Sequence, residues 1–393
     1  MNRIAIDARW IFAETSGIGR YTRELIRHLL RLDADMQWIL LHDDAARAES
    51  LGREWKVSER PGAHLELLPW SLFSPRNQWS LPRALRALQA EVYHAPNWLI
   101  PYAAFPRKRA RALACVVTLH DLIPLRFPHF TPRARKTRWL FLFRLLVHAT
   151  VRRADAIIAP SEATRRDLLD YFRLRNEAAE RVVVIPEAAD ERFRPAAHPP
   201  SSAAPTVLYV GRRDPYKNLP RLLEAFAHVR AAMPEARLQI IGPPDPRYPE
   251  AEETARRLGL GISVLWCGHL EFNDVVEAYQ HAAVFVLPSR CEGFGLPILE
   301  AMACGTPVVC SEAPALVEVA GGAALHAPAD DATALANAIL CVLRNPAVAA
   351  ELRARGLARA ARFSWTATAQ KTLQVYEKAL RRRAEARVHG KPL

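Results

Sequence analysis

No stretch of this 393-residue chain approaches the roughly 18 uninterrupted apolar residues that a membrane-spanning helix needs. The most apolar run, WLFLFRLLV (139–147), is too short and is broken by Arg144. No leader-type apolar segment precedes RIAIDAR at the N-terminus, so a cytoplasmic protein is expected. Cysteine is sparse. The six residues Cys115, Cys267, Cys291, Cys304, Cys310 and Cys341 form no C-x-x-C pair, and most lie within apolar stretches. Neither a disulfide framework nor a structural metal site is expected, and a reducing compartment fits. Acidic residues are almost missing from 101–153, where Asp121 stands alone. Against it are Arg107, Lys108, Arg109, Arg111, Arg126, Arg133, Arg135, Lys136, Arg138, Arg144, Arg152 and Arg153. Residues 1–190 carry 30 Lys/Arg against 21 Asp/Glu, which is +9 of the formal +13. Charge of this kind attracts nucleic acid, anionic headgroups or phosphorylated small molecules, and composition does not choose among them.

What is present is a regular alternation. Strand-like runs occur at 4–7, 38–42, 91–95, 115–121, 156–161 and 182–188, and again at 207–211, 237–242, 263–268, 284–289, 306–311 and 323–328. Helix-period segments such as 21–32, 163–174, 219–233 and 274–282 lie between them. Strands alternating with helices imply parallel, doubly wound α/β sheets. The aperiodic Pro/Ala/Ser-rich stretch around 191–205 reads as a linker. The expected organisation is a domain at 1–190, a second at 206–362, and a helical segment at 363–393 that returns to the first. Two such domains face each other across a cleft, and ligands of open α/β sheets sit at the carboxyl ends of the strands.

Two segments concentrate the chemistry. In SRCEGFGLPILEAMACGTPVV (289–309), Glu292 and Glu300 bracket a Gly-Phe-Gly turn and Pro297. Proline suits the first helical position, which puts Glu300 in the first turn of a helix and Glu292 in the loop before it. Unpaired helix amides there can receive phosphate, and the carboxylates can receive sugar hydroxyls. For Glu300 alone, a dipole-favoured helix start would be explanation enough. In VLYVGRRDPYKNLPRLLEAF (207–226), Arg212, Arg213 and Lys217 follow a strand and precede a helix, a combination suited to a diphosphate.

The first segment resembles the E-x7-E signature of the family 4 retaining glycosyltransferases, including the A-x-A-x-G-x-P-V-V run that stands here as AMACGTPVV. The second is similar to that family's G-R-x-x-x-K segment. The resemblance implies the GT-B fold and a nucleoside-diphosphate-sugar donor. By it, Glu292 binds sugar hydroxyls, Glu300 binds the ribose, and Lys217 with Arg212 (Arg213 as the alternative) binds the leaving diphosphate. The backbone of Phe294, Gly295 and Leu296 lies near sugar and phosphates. Gly17 and Gly19, in SGIGRYTREL, belong to a loop that closes over the diphosphate, and Gly268 and Leu270 to a stretch whose backbone reads the base. His120, in TLHDLIP, contacts the sugar and can assist catalysis, with Asp121 supporting it; His94 and Asn97 are candidates to meet the acceptor. Ser161, in APSEATRRDLL, is sufficiently explained as a helix cap.

The implied reaction retains anomeric configuration without double displacement, the cations stabilising the departing phosphate. No Asp-x-Asp motif is present; Asp43-Asp44 and Asp330-Asp331 read as loop and cap, so neither a metal nor another cofactor is expected. GDP-mannose is the first choice of donor, because MNRIAIDAR, SGIGRYTREL and VGRRDPYKN look like bacterial polysaccharide mannosyltransferases; UDP-sugars stay open, as does an epimerase or phosphorylase on the same fold. The expected acceptor is a saccharide or a lipid-diphosphate-linked saccharide. The segment 133–153 mixes cations with Trp139, Phe141, Phe143, Leu145 and Leu146, which suits a peripheral contact with an anionic membrane face. Burial of the same residues in a core is the alternative. A nucleic-acid partner is not expected, since no reading motif accompanies the charge.

Overall fold

A computed structural model describes residues 2–12, 16–32, 35–106, 113–133, 138–197 and 204–388. Six of the basic residues named above, Arg107, Lys108, Arg109, Arg111, Arg135 and Lys136, lie outside the described residues. The first sheet is built from β1 (Asn2–Asp7), β2 (Met36–His42), β3 (Ala63–Leu67), β4 (Val92–Ala95), β5 (Ala114–Thr118), β6 (Ala156–Ala159) and β7 (Val182–Val184). Their order is β3-β2-β1-β4-β5-β6-β7, with every recorded pairing parallel. The second contains β8 (Thr206–Val210), β9 (Arg237–Ile241), β10 (Val264–Gly268), β11 (Val284–Leu287), β12 (Val308–Ser311) and β13 (Leu325–Ala327). It runs β10-β9-β8-β11-β12-β13, again parallel.

Twelve of these strands coincide with the runs read from the sequence. β3 was not foreseen. It is an edge strand paired only with β2, so its AHLEL sequence stays partly exposed and lacks the continuous apolar character of a central parallel strand. The central strands are fully buried: Ile4, Ile6, Val92, Val116, Ile157 and Ile158 in the first sheet, and Val207, Leu208, Val284, Phe285 and Val309 in the second. Burying one such side chain stabilises the fold by about 1.5–3 kcal/mol, which is why both sheets are covered by helices on both faces.

After β13 the chain is helical: Ala332–Arg344, Pro346–Ala360 and Trp365–Val388. The last of these crosses to the first sheet, where Trp365, Ala369, Val375, Tyr376 and Ala379 join Ile4, Tyr21, Val92 and Val116 in one core. Two polar contacts fix its path. Arg383 pairs with Asp155 in a buried contact, and the Tyr376 hydroxyl lies 2.6 Å from His94 Nδ1.

His94 is therefore a structural residue, and its expected place at the acceptor site is corrected. It is fully buried in β4, with Nε2 2.9 Å from the Thr118 hydroxyl, so neither nitrogen reaches the cleft. Burial, aided by the nearby His120, pushes its pKa down to about 3. The unfolded chain binds a proton near the ordinary value of about 6.5, whereas the folded chain does not until about pH 3. The contribution is fully present above the unfolded value and is lost as pH falls, by up to roughly 1.4 kcal/mol per pH unit. Burial lowers His28 and His42 in the same direction. Urea midpoints measured between about pH 4 and pH 7 should fall steadily with acidification, and His94→Gln should flatten that slope by about one proton's worth. An unchanged slope would remove His94 as the acid-sensitive group.

Candidate active site

The donor loop is made by the junction of β11 with the helix Leu296–Ala303. Gly295, at φ +110°, turns the chain into that helix, a conformation that favours glycine. Pro297 lies in its first turn, as proline can where no amide donor is needed. Glu300 is one turn deeper than the sequence suggested, the fifth residue of the helix, and is buried. Its charge is therefore met by side chains and owes little to the helix dipole, which acts within the first turn. Tyr279 donates its hydroxyl to Glu300 Oε2 at 3.0 Å, and Arg20, from the helix Gly17–Leu29 of the other domain, pairs with Oε1.

Glu292 is held differently. Lys217 donates its ammonium to Glu292 Oε1 at 2.7 Å, and both side chains are largely shielded from solvent. Lys217 ends a short turn, Pro215–Lys217, that precedes the helix Leu219–Ala232. Cys291, next to Glu292, is buried, and desolvation together with that carboxylate raises its thiol far above the ordinary range, so it is no nucleophile. Arg212 is 64% exposed, with Nε 2.8 Å from Asp214. Arg213 points away from the cleft: its guanidinium pairs with Glu252 and stacks 4.7 Å from the Trp266 ring. Of the two arginines, only Arg212 is placed to meet a ligand between the domains.

A cavity of about 410 Å³ opens between the domains, within the range of small-molecule sites. It brings together Gly19 and Arg20 from the first domain with Arg212, Gly268 and Leu270 from the second. Gly17 opens the helix whose cap, Ser16, lines the same space and accepts from the Gly19 amide at 3.0 Å. Lys217, Glu292, Phe294, Gly295 and Leu296 are not among the residues lining this cavity: Phe294 and Leu296 pack in the second domain's core, Gly295 lies against Leu316, and Gly293, between Glu292 and Phe294, meets the first domain at the seam.

At that seam a β-carbon built on Gly293 would sit 1.8 Å from the carbonyl oxygen of His120, so the loop bearing Glu292 rests directly on the backbone of the β5 loop. The His120 ring is anchored on both sides, Nδ1 3.0 Å from Glu187 Oε1 and Nε2 3.1 Å from the Pro96 carbonyl. Any direct role at a sugar requires one of these contacts to be exchanged. Asp121 accepts from the Ile123 amide at 2.9 Å, starting the turn Ile123–Arg126. Asn97 is mostly buried, accepts from the Trp98 amide and borders a small space with His120 and Asp121. Asp44 and Asp331 cap helices. Among the described residues no group of three or more His, Cys, Asp or Glu side chains is arranged to hold a metal.

The sequence reading missed Arg20, Tyr279 and Glu187. A signal existed for Arg20, because a cation in a helix's first turn beside two glycines opposes the dipole and needs another partner. Glu187 follows β7 as a carboxylate at a strand's carboxyl end. Nothing local marked Tyr279.

Two parallel α/β domains facing each other across such a cleft make the GT-B fold. The family described as glycosyl transferases group 1 matches residues 190–361, and glycosyltransferase family 4 matches residues 15–193. The O-antigen chain mannosyltransferase B of Escherichia coli is 30% identical over 390 residues, covering 92% of this chain and 96% of that protein. A D-inositol 3-phosphate glycosyltransferase of Catenulispora acidiphila is 34% identical over 251 residues, 58% of this chain and 57% of that protein. Anabaena HepE, solved in complex with UDP-glucose, has the same fold with a TM-score of 0.72 at 20% identity, covering 96% of this chain and 98% of that one. The chain belongs to the group 1, family 4 glycosyltransferases.

Proposed function

We propose that this glycosyltransferase moves a hexose, with mannose from GDP-mannose as the first choice, onto a saccharide or lipid-linked saccharide, with retention of configuration and no metal. The observation that carries the reading is the Lys217–Glu292 pair beside the domain seam, with Glu300 held between Tyr279 and Arg20. Full-length similarity to an O-antigen mannosyltransferase supports mannose and a surface-polysaccharide acceptor. The inositol-phosphate and HepE relatives keep UDP-sugars and other acceptors as the second reading.

In this mechanism the bond between the sugar's anomeric carbon and the diphosphate oxygen breaks, its electron pair leaving with the phosphate. Lys217 and Arg212 stabilise that growing negative charge. The acceptor hydroxyl oxygen bonds to the anomeric carbon on the same face, and its proton passes to the departing phosphate oxygen. Glu292 holds sugar hydroxyls and Glu300 the ribose. Glu292 is a positioning carboxylate here, since the front-face step forms no bond between it and the anomeric carbon.

Peripheral binding to an anionic membrane face belongs to the same proposal. Among the described residues no single helix is long and apolar enough to cross a membrane. The helix Leu140–Val151 nevertheless has two apolar faces. Phe143, Val147 and Val151 are buried, while Phe141 (83% exposed), Leu145 (56%) and the adjoining Trp139 (69%) face outward. Arg138, Arg144 and Arg152 are exposed around them. Apolar side chains rimmed by cations match an anionic interface, each cation near it contributing about 1 kcal/mol.

A thermal-shift panel of GDP-, UDP-, ADP- and dTDP-sugars should show its largest stabilisation with GDP-mannose, roughly 2.7 kcal/mol at about 100 times Kd and unaffected by EDTA. A larger shift with a UDP-sugar would replace the donor. Lys217→Ala and Glu292→Ala should each lower transfer by about 100- to 1,000-fold while the fold persists; near-normal turnover in both would refute the site. The protein should co-sediment with anionic vesicles at low salt, and Phe141→Ser with Leu145→Ser should abolish this. Absence of wild-type binding at low salt sinks the membrane contact.

A further inference from the structure

Ser161 was read from the sequence as a helix cap, and it is one: its hydroxyl oxygen accepts from the Thr164 amide at 3.0 Å, starting the helix Glu162–Phe172. The same hydroxyl also donates across the seam, to the carbonyl of Gly293 at 2.6 Å. Thr164, one turn on and buried, places its hydroxyl 2.8 Å from the Gly293 carbonyl and 3.3 Å from the His120 carbonyl. A hydroxyl has one proton to give, so the shorter contact is its bond and the longer one an electrostatic neighbour. Two carbonyl dipoles from opposite domains thus converge on one threonine.

The first amides of this helix are met from across the seam as well. Glu162 and Ala163 donate to Glu318 Oε1 and Oε2, at 2.8 and 2.9 Å. Glu318 belongs to the second domain, on the helix Pro314–Ala320. A carboxylate on a helix N-terminus satisfies unpaired amides and meets the positive end of the dipole. Arg359 fixes the Glu318 helix in turn, donating to the Glu318 and Val319 carbonyls at 2.7 and 2.8 Å, where a cation complements a helix C-terminus.

We propose that Ser161, Thr164 and Glu318 are positioning residues that latch the two domains together and set the Glu292 loop against His120. Four hydrogen bonds cross the seam within four consecutive residues of the first domain, 161–164. They end on Gly293, the neighbour of Glu292, and on Glu318. None of the three latch side chains lines the large cavity, so their contribution is to placement, and the proposed function leaves contact with the nucleotide to the cavity's own residues. The latch rests on the transferase reading for its consequence, and on geometry alone for its existence.

Thr164→Val keeps the shape and the Ser161 cap while removing one of the two hydroxyl donors to Gly293. Glu318→Ala removes the carboxylate, and Glu318→Gln leaves one accepting oxygen without charge. Three readouts separate placement from folding: GDP affinity by calorimetry, the radius of gyration by small-angle scattering, and GDP release from GDP-mannose with an α-mannosyl disaccharide. Both Thr164→Val and Glu318→Ala should still bind GDP, raise the radius of gyration, and slow GDP release by about 100-fold, the size of effect a displacement of roughly 1 Å produces. Glu318→Gln should fall between wild type and Glu318→Ala. Wild-type compactness and wild-type release in both variants would overturn the latch. If the wild type neither binds GDP nor releases it, the donor reading fails, and scattering from the ligand-free proteins still decides: unchanged compactness in both variants overturns the latch, expansion upholds it.

Discussion

The backbone of Gly293 lies so close to the carbonyl of His120 that no β-carbon fits between them, and the site is organised around that contact. Each domain is a parallel sheet with its own core and its strand ends turned toward the cleft. Neither half is a site by itself. Glu292, Lys217 and Glu300 belong to the second domain, His120 and Arg20 to the first, and the two sets meet where Gly293 rests on the His120 carbonyl and Arg20 reaches Glu300. A glycine at 293 is demanded by that approach, since any side chain would hold the domains apart.

Charge follows the same geometry. Each carboxylate of the site already has a partner, Glu292 in Lys217 and Glu300 in Arg20 and Tyr279. A buried carboxylate without a partner is strongly unfavourable, so these pairs offset the cost of burying the two groups. Under the proposed function, ligand binding is then an exchange of partners. A hydroxyl arriving at Glu292 or Glu300 must be better placed than the group it displaces, which makes discrimination depend on geometry more than on total attraction. Arg20 adds a particular consequence. It comes from the opposite domain, so freeing Glu300 changes an interdomain contact as well as a local one.

The fold was largely legible because central parallel strands announce themselves as short apolar runs between helical periods. The exception, β3, is an edge strand whose half-exposed AHLEL carries no such signature. For the candidate site, the sequence singled out residues within continuous motifs: Glu292 and Glu300 around the turn, Lys217 and Arg212 after β8. What could not be read were partners distant in sequence. Arg20 is 280 residues from Glu300, Ser161 is 132 from Gly293, and Glu162 is 156 from Glu318. His94 shows the opposite failure. A histidine at a strand end invites a role in the cleft, yet the helix Trp365–Val388 folds back over it, and only the tertiary structure reveals Tyr376 on its ring.

That returning helix bears on how the cleft can move. The polypeptide passes between the domains twice, after β7 and again before Trp365, so relative motion is restrained at two crossings. The helix also braces the strand that leads to His120: Tyr376 meets His94, His94 meets the Thr118 hydroxyl at the end of β5, and Tyr21 meets the same hydroxyl at 3.0 Å. The Tyr21 ring then packs edge-on against His120, with centroids 4.7 Å apart. His120 thus sits on a support built from three elements and the chain's final helix, buried and hydrogen-bonded throughout. Such a support is stiff, so the yielding part of the closed arrangement is the contact across the seam. There the bonds of 161–164 end on a single loop carbonyl and a single carboxylate, beside Arg20 on Glu300 and Arg133 against 247–250, and all of them become accessible to water as soon as the domains part. Opening the cleft therefore separates the seam and leaves the groups on either side in place.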